Sequence, residues 1–197
     1  MDSRKQNIIR WILVIVLIAA VLAIGGAILW YWLFYMPYRI HTDCYGREIT
    51  VETMKYWEKR EENGFLGIVR IAGWRTERQQ IVSSISTARK QRTQVLCVYG
   101  SMELADPAPI LSGRYGLAVE GDYCILSESL ARTLFGSTEV AGECIKIENE
   151  TMTIAGVIEK EEDFLMIPAK EGTIEQLAIE FRSRIGAKEK IKRLIEE

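Results

Sequence analysis

A thiol beside an imidazole can act as nucleophile and base, and this chain holds four cysteines (Cys44, Cys97, Cys124, Cys144) with a single histidine, His41. Only Cys44 lies near His41, a few residues beyond a long apolar run, so the two read as an interfacial histidine beside a buried or bridged cysteine. The cysteine spacings match no zinc pattern, because there is no Cys-x-x-Cys and one histidine cannot complete a ligand set. Glu159, Glu161, Glu162 and Asp163, interrupted by Lys160, read as a solvated acidic loop. No Gly-x-x-x-x-Gly-Lys-Ser/Thr phosphate loop is present, so any ATP hydrolysis is assigned to another chain. The residue chemistry thus predicts no catalytic residue, no cofactor and no metal. Cys124 and Cys144, 20 residues apart in strand-like segments, are the first candidates for a disulfide, with small buried thiols in a core as the alternative.

The element that must position everything else is apolar. From Trp11 to Tyr38 there is no Asp, Glu, Lys, Arg or His, a run of 28 residues. As a helix it is about 42 Å long at roughly 1.5 Å per residue, more than the roughly 30 Å of bilayer hydrocarbon. Trp11 stands at one edge, while Trp30, Tyr31, Trp32, Phe34, Tyr35 and Tyr38 crowd the other, as amphipathic rings do at headgroup level. Arg4, Lys5 and Arg10 precede the run and predict a cytoplasmic N-terminus over residues 1–10, a transmembrane helix over 11–38 and an extracytoplasmic domain over 39–197. The bias is modest, since Arg39 and Arg47 follow on the far side. A signal peptide cut after Ala23-Ile24-Gly25 is the competing reading, but the run continues through Phe34, beyond the roughly 7–15 residues of an h-region. The expected place of the chain is therefore the plasma membrane, crossed once. Gly25 and Gly26 are candidates for close packing against another membrane helix.

Net charge is −2; Arg4, Lys5 and Arg10 against Asp2 give the first ten residues +2, which leaves −4 on the rest. Nothing there forms a basic stripe for nucleic acid, and Lys188, Lys190, Lys192 and Arg193 are interleaved with glutamates as on a solvated helix face. Residues 39–197 suffice for one domain, with two lobes as an option. Thr50 to Glu62 reads as a helix with Met54, Trp57 and Tyr56 inward and Asn63-Gly64 as its stop. Phe65 to Trp74 and Gln94 to Tyr99 read as strands. Arg75 to Arg92 has no clear period and reads as a strand with a long loop, and Asp106 to Gly121 reads as loop. Tyr123 to Leu126 is a strand; Ser127 caps a helix over Glu128 to Phe135, which Gly136 stops. Cys144 to Glu148 and Met152 to Ile158 form a hairpin. Leu177, Ala178 and Phe181 fit a helix, but Leu177, Ile179 and Phe181 alternate with Ala178, Glu180 and Arg182 at period two, which favours a strand, followed after Gly186 by a helix with Ile191, Leu194 and Ile195 on one face. The fold class is α+β, with short strands and helices.

Ile110-Leu-Ser-Gly-Arg114 and the continuous stretch from Gly121 through Ser127-Glu128 to Leu134-Phe135-Gly136 resemble the periplasmic core domain of MacB-type ABC transporter permeases and their FtsX-like relatives. Val140-Ala-Gly-Glu-Cys-Ile145, Thr153-Ile-Ala-Gly-Val-Ile158 and Met166-Ile-Pro168 follow in the family's order. Gly73-Trp74, Gly100-Ser-Met-Glu103 and the apolar run match more loosely. These boxes read as structural, with Leu130, Leu134 and Phe135 packing onto the strand at Ile125 and no reactive group among them. Two departures stand out. The family hairpin commonly turns on Asn-Gly where this chain has Asn149-Glu150, which predicts a longer turn or a strained position. A complete permease of this type also continues into three more membrane helices, whereas no second hydrophobic stretch precedes Glu197.

The resemblance implies a non-enzymatic module of an export or mechanical-coupling system whose partners are an ABC ATPase and a permease transmembrane subunit. An anchored binding or sensor domain without a transport cycle is the alternative. Trp74, Met102, Leu104 and Arg114 are contact candidates, as large side chains near glycine- and proline-rich loops; core packing is the alternative for Trp74.

Overall fold

The computed structural model describes residues 3–44, 46–61, 64, 67–116 and 122–196. Asn63, Phe65 and Gly121, which entered the predicted helix stop, strand start and loop, lie outside the described residues. The apolar run forms helix α1 (Ser3–Tyr35), and the most apolar 18-residue window within Arg10–Tyr35 has mean hydropathy 3.2 with none of it buried against the rest of the chain. It ends at Tyr35, short of the expected Tyr38. Pro37 lacks an amide donor and disfavours helix at Met36, so the chain turns there into strand β1 (Tyr38–Asp43).

Helix α2 (Val51–Glu61) buries Val51, Met54 and Trp57, while Tyr56, expected inward, is exposed. Strand β2 (Ile68–Ser84) then runs 17 residues and turns back into β3 (Lys90–Gly100). The stretch expected to hold a long loop is therefore one antiparallel hairpin, paired from Ala72↔Gly100 to Ser83↔Lys90 with a register shift between Glu77 and Gln80. Arg78 and Gln79 are exposed at the register shift, whereas Ser84 and Thr93 are buried. A single turn, α3 (Met102–Ala105), follows, and β4 (Ile110–Gly113) occupies part of the expected loop, pairing with Gly156, Val157 and Ile158.

Next come β5 (Tyr123–Ser127), α4 (Glu128–Phe135), the hairpin β6 (Cys144–Ile147) and β7 (Glu150–Ile158), then β8 (Phe164–Pro168), β9 (Gln176–Phe181) and α5 (Ala187–Glu196). The α4 caps are as read: Ser127 Oγ accepts from Leu130 N at 3.3 Å, and Gly136 takes the left-handed conformation at φ 79°. Leu130, Ala131 and Leu134 pack in a cluster with Cys124 and Leu126. Ile125, the expected partner, points the other way into a second cluster with Trp74, Met102 and Met166, as alternation along a strand requires.

Among the described residues, the nine strands belong to one sheet. β2 pairs with β3, β3 with β8, β8 with β5, β5 with β7 and β7 with β6, and β6 returns to the far end of β2 through Val82↔Ile147 and Ser84↔Ile145. The six strands thus close on themselves. The near half of β2 also carries β9, and β9 carries β1 from Tyr38↔Phe181 to Asp43↔Gln176. One long strand therefore joins the closed ring to the layer that receives α1.

The β6–β7 hairpin turns tightly on Glu148-Asn149, between the paired residues Ile147 and Glu150, and Glu148 is held at φ 51°. A side chain there costs about 1–2 kcal/mol, which glycine avoids at about 0.5–1 kcal/mol of backbone entropy. Glu148→Gly is expected to stabilise the fold by about 0.5–1 kcal/mol, read as a higher thermal midpoint; a lower midpoint would show that the glutamate side chain has a partner that outweighs the strain.

Candidate functional site

The chemistry-bearing residues do not converge. Among the described residues no three His, Cys, Asp or Glu side chains are placed to hold one metal ion. All four cysteines are free thiols. The expected Cys124–Cys144 pair does not form: β7 lies between their strands, and strands two apart are about 9–10 Å distant, beyond a disulfide's reach. Burial pushes the Cys97 thiol up to about 12, helped by the neighbouring Glu77 carboxylate, and burial raises Cys44 and Cys124 as well. His41 stands edge-on to Trp74, ring centroids 6.2 Å apart, while the Cys44 side chain is buried. In the acidic loop, Asp163 accepts from Ser129 Oγ at 2.7 Å and from Gln91 Nε2, and Lys160 pairs with Asp106.

The contact candidates separate. Trp74 is 8% exposed, and Met102 and Leu104 are fully enclosed, all three in the second core cluster. Their bulk holds α3 against the sheet, and all three are buried where exposed contact residues were expected. Arg114 is exposed, its amide bonded to Ala155 O at 3.0 Å. Gly25 and Gly26 have no atom near the space a side chain would take. A polar cleft of about 530 Å³ opens between Arg75, Cys97 and the β6–β7 turn, with the Lys170–Asp122 ion pair among its lining residues.

The densest specific arrangement lies where α1 meets the sheet. A helix leaves its last carbonyls without intrahelical partners; Ser183, in the loop after β9, donates its hydroxyl to one of them, Leu33 O, at 3.1 Å. The next residue, Arg184, sets its guanidinium 4.8 Å from the Trp32 ring centre and 4.7 Å from that of Tyr38. Cation–π attraction thus spans the last turn of α1 and the first residue of β1. Tyr31 and Tyr35 stack on the same helix end, 5.6 Å apart.

One residue pair further along, Glu180 on β9 is 5% exposed. Its two oxygens accept from Arg39 Nε on β1 at 2.9 Å and from Arg70 Nε on β2 at 2.6 Å, and Arg70 Nη1 reaches Glu103 of α3 at 2.6 Å. Two cations and two anions thereby lace three strands and a helix together. The Arg70 hydrogen bond, seconded by Arg39, holds the Glu180 carboxyl below its ordinary range against the opposing effect of burial. A carboxyl lowered on folding stabilises above its unfolded pKa and loses that contribution as pH falls through the folded value. Stability is therefore expected to be level near neutrality and to decline below about pH 4.3, with Glu180→Gln flattening that part of the curve; an unchanged acid limb in the variant would remove the network from the account.

Sequence reasoning missed Ser183, Arg184 and Glu180. Two signals were present: Arg39 is the first charge after the apolar run, and Glu180 is the one charge within Leu177–Phe181.

The MacB-like periplasmic core domain family matches residues 12–194. Among solved structures, the periplasmic region of MacB from Actinobacillus actinomycetemcomitans superposes with TM-score 0.62 at 11% identity, over 83% of each chain. The extracellular domain of the noncanonic ABC-type transporter YknZ from Gram-positive bacteria gives 0.59 at 15% identity, over 83% of this chain and 91% of that one. At these identities the likeness is one of fold. No curated protein matches the chain.

Proposed function

The chain belongs to the family of MacB-like periplasmic core domains, and from that premise we propose that it is the membrane-anchored extracytoplasmic module of an ABC-permease-like system. It carries no chemistry of its own. Its work is mechanical: to pass motion between a membrane helix and a folded domain outside, with ATP hydrolysis and the remaining membrane helices supplied by other subunits. In this reading α1 crosses the plasma membrane once with its N-terminus in the cytoplasm, where Arg4, Lys5 and Arg10 belong. Arg39, the cation that weakens this charge bias from the other side, is neutralised by Glu180.

The observation that carries the proposal is the directness of the junction. Only Met36 and Pro37 separate α1 from β1, and β1 is hydrogen-bonded into β9 at once. A flexible tether needs slack, and this connection has none. Ser183 and Arg184 brace it from the loop after β9, so a tilt of α1 is delivered to the sheet through backbone bonds and a cation held between rings. Trp74, Met102 and Leu104 serve this reading as the packing that keeps α3 in place. Gly25 and Gly26 are the positions on α1 where another membrane helix would approach most closely.

Purification of the full chain in a mild detergent tests the assignment. The expected result is co-purification of a subunit with several membrane helices together with one that hydrolyses ATP. Recovery of the chain alone, under conditions that preserve related complexes, would overturn it in favour of an anchored binding domain. The polar cleft beside Cys97 is what favours that second reading, and a soluble ligand retained there would support it.

A further inference from the structure

We propose that the loop after β9 and the outer face of α5 form a docking surface for anionic phospholipid headgroups, in the leaflet at the outer end of α1. Depth comes first. Ser183 bonds Leu33 and Arg184 lies against Trp32, so this loop sits beside the last turn of α1, at the level of its aromatic belt. Ile185, between them and α5, is 51% exposed and stands at the same level, where an apolar side chain is better placed in the headgroup and acyl boundary than in water.

Charge is the second observation. Residues 182–197 hold six cations against Glu189, Glu196 and Glu197, a net +3, on a domain that is −4 from residue 39 onward. The positive end of an otherwise acidic domain is the end that meets the membrane. Burial of Ala187, Ile191 and Leu194 turns the other side of α5 outward; Lys188 and Arg193 are exposed on the helix, and Arg182 is exposed in the loop before it. Basic residues beside a membrane span attract anionic lipid through the surface potential, over about one Debye length. This surface is independent of the transport reading, because an anchored sensor would present it equally.

Hydrogen exchange of the full chain in lipid nanodiscs tests the proposal. Amides from Arg184 to Ile191 are expected to exchange on the order of tenfold more slowly when about 30% phosphatidylglycerol replaces phosphatidylcholine, and to lose that protection in about 0.5 M salt. The triple substitution Arg182→Gln, Lys188→Gln and Arg193→Gln should abolish the lipid dependence while β2–β3 amides stay protected. Equal exchange in both lipids would overturn the proposal, and the salt arm on the unaltered chain decides it even if the triple variant unfolds. Protection in neutral discs by soluble inorganic phosphate would also overturn it, as the mark of a small-anion site.

Discussion

Glu180→Ala is expected to destabilise the folded chain by about 2–3 kcal/mol, among the largest effects of any single polar residue outside the membrane helix. The carboxylate is nearly enclosed, and its loss strands Arg39 and Arg70, which face each other across β9. Breaking a fully buried pair costs about 3–5 kcal/mol. Here the two arginine side chains keep 38% and 32% of their exposure, so water recovers part of the loss. Denaturant unfolding in detergent micelles measures the difference, and a shift under about 0.5 kcal/mol would mean that the network is a surface decoration. The consequence extends beyond stability. Arg70 also holds Glu103, so removing Glu180 loosens α3 from the strands that receive α1.

Gly100→Ala is expected to cost more, above about 3 kcal/mol, because two penalties coincide. Gly100 lies at φ 81°, and a methyl group there would stand 2.2 Å from the backbone oxygen of Ile71. That oxygen cannot retreat, since it accepts from Ser101 N at 2.9 Å and belongs to β2. The bond starts α3, whose Ser101 cap and buried Met102 and Leu104 depend on it. Gly136→Ala is the control. It has nearly the same φ, but the nearest atom to its added methyl group is the tip of Arg89 at 3.7 Å, so only the conformational cost of about 1 kcal/mol applies. Similar losses in the two variants, measured by thermal unfolding, would contradict the close approach at Ile71.

Much of this architecture is written locally. Ser127 and Gly136 bracket α4 by capping chemistry that acts within four residues, and alternation from Leu177 to Phe181 favours a strand over the helix that Leu177, Ala178 and Phe181 also fit. The fold class follows from these local signals, and the family resemblance from the ordered boxes between Ile110 and Pro168. Where the reading failed, the deciding contact is distant. Arg75 to Gln80 looks like loop because its side chains are polar, yet the backbone is extended by pairing with β3. β4 spans only four residues, and its partner β7 lies some forty positions on. Alternation sets Glu180 on the strand face opposite Leu177, Ile179 and Phe181, a face that is solvated where a sheet has one wet side. Here α2 and α5 cover one face and α3 the other, so both are dry and the carboxylate is enclosed between arginines from two other strands. The brace at the base was least legible of all, because Ser183 meets Leu33 across 150 positions and no local pattern encodes such a contact. The Cys124–Cys144 expectation failed for a related reason: proximity in sequence and strand character say nothing about the strand inserted between them.

The claim at the centre is that α1 and the domain move as one body. Pulsed electron–electron resonance on the full chain in nanodiscs tests it most directly, with spin labels at Ile12→Cys in the membrane helix and Ser86→Cys at the tip of the β2–β3 hairpin, in a Cys144→Ser background that leaves only buried native thiols. The account predicts a single narrow distance distribution that broadens when Ser183 and Arg184 are both replaced by alanine. A broad distribution in the intact chain, unchanged by that double substitution, would show a domain swinging freely on a tether and would contradict the coupling role.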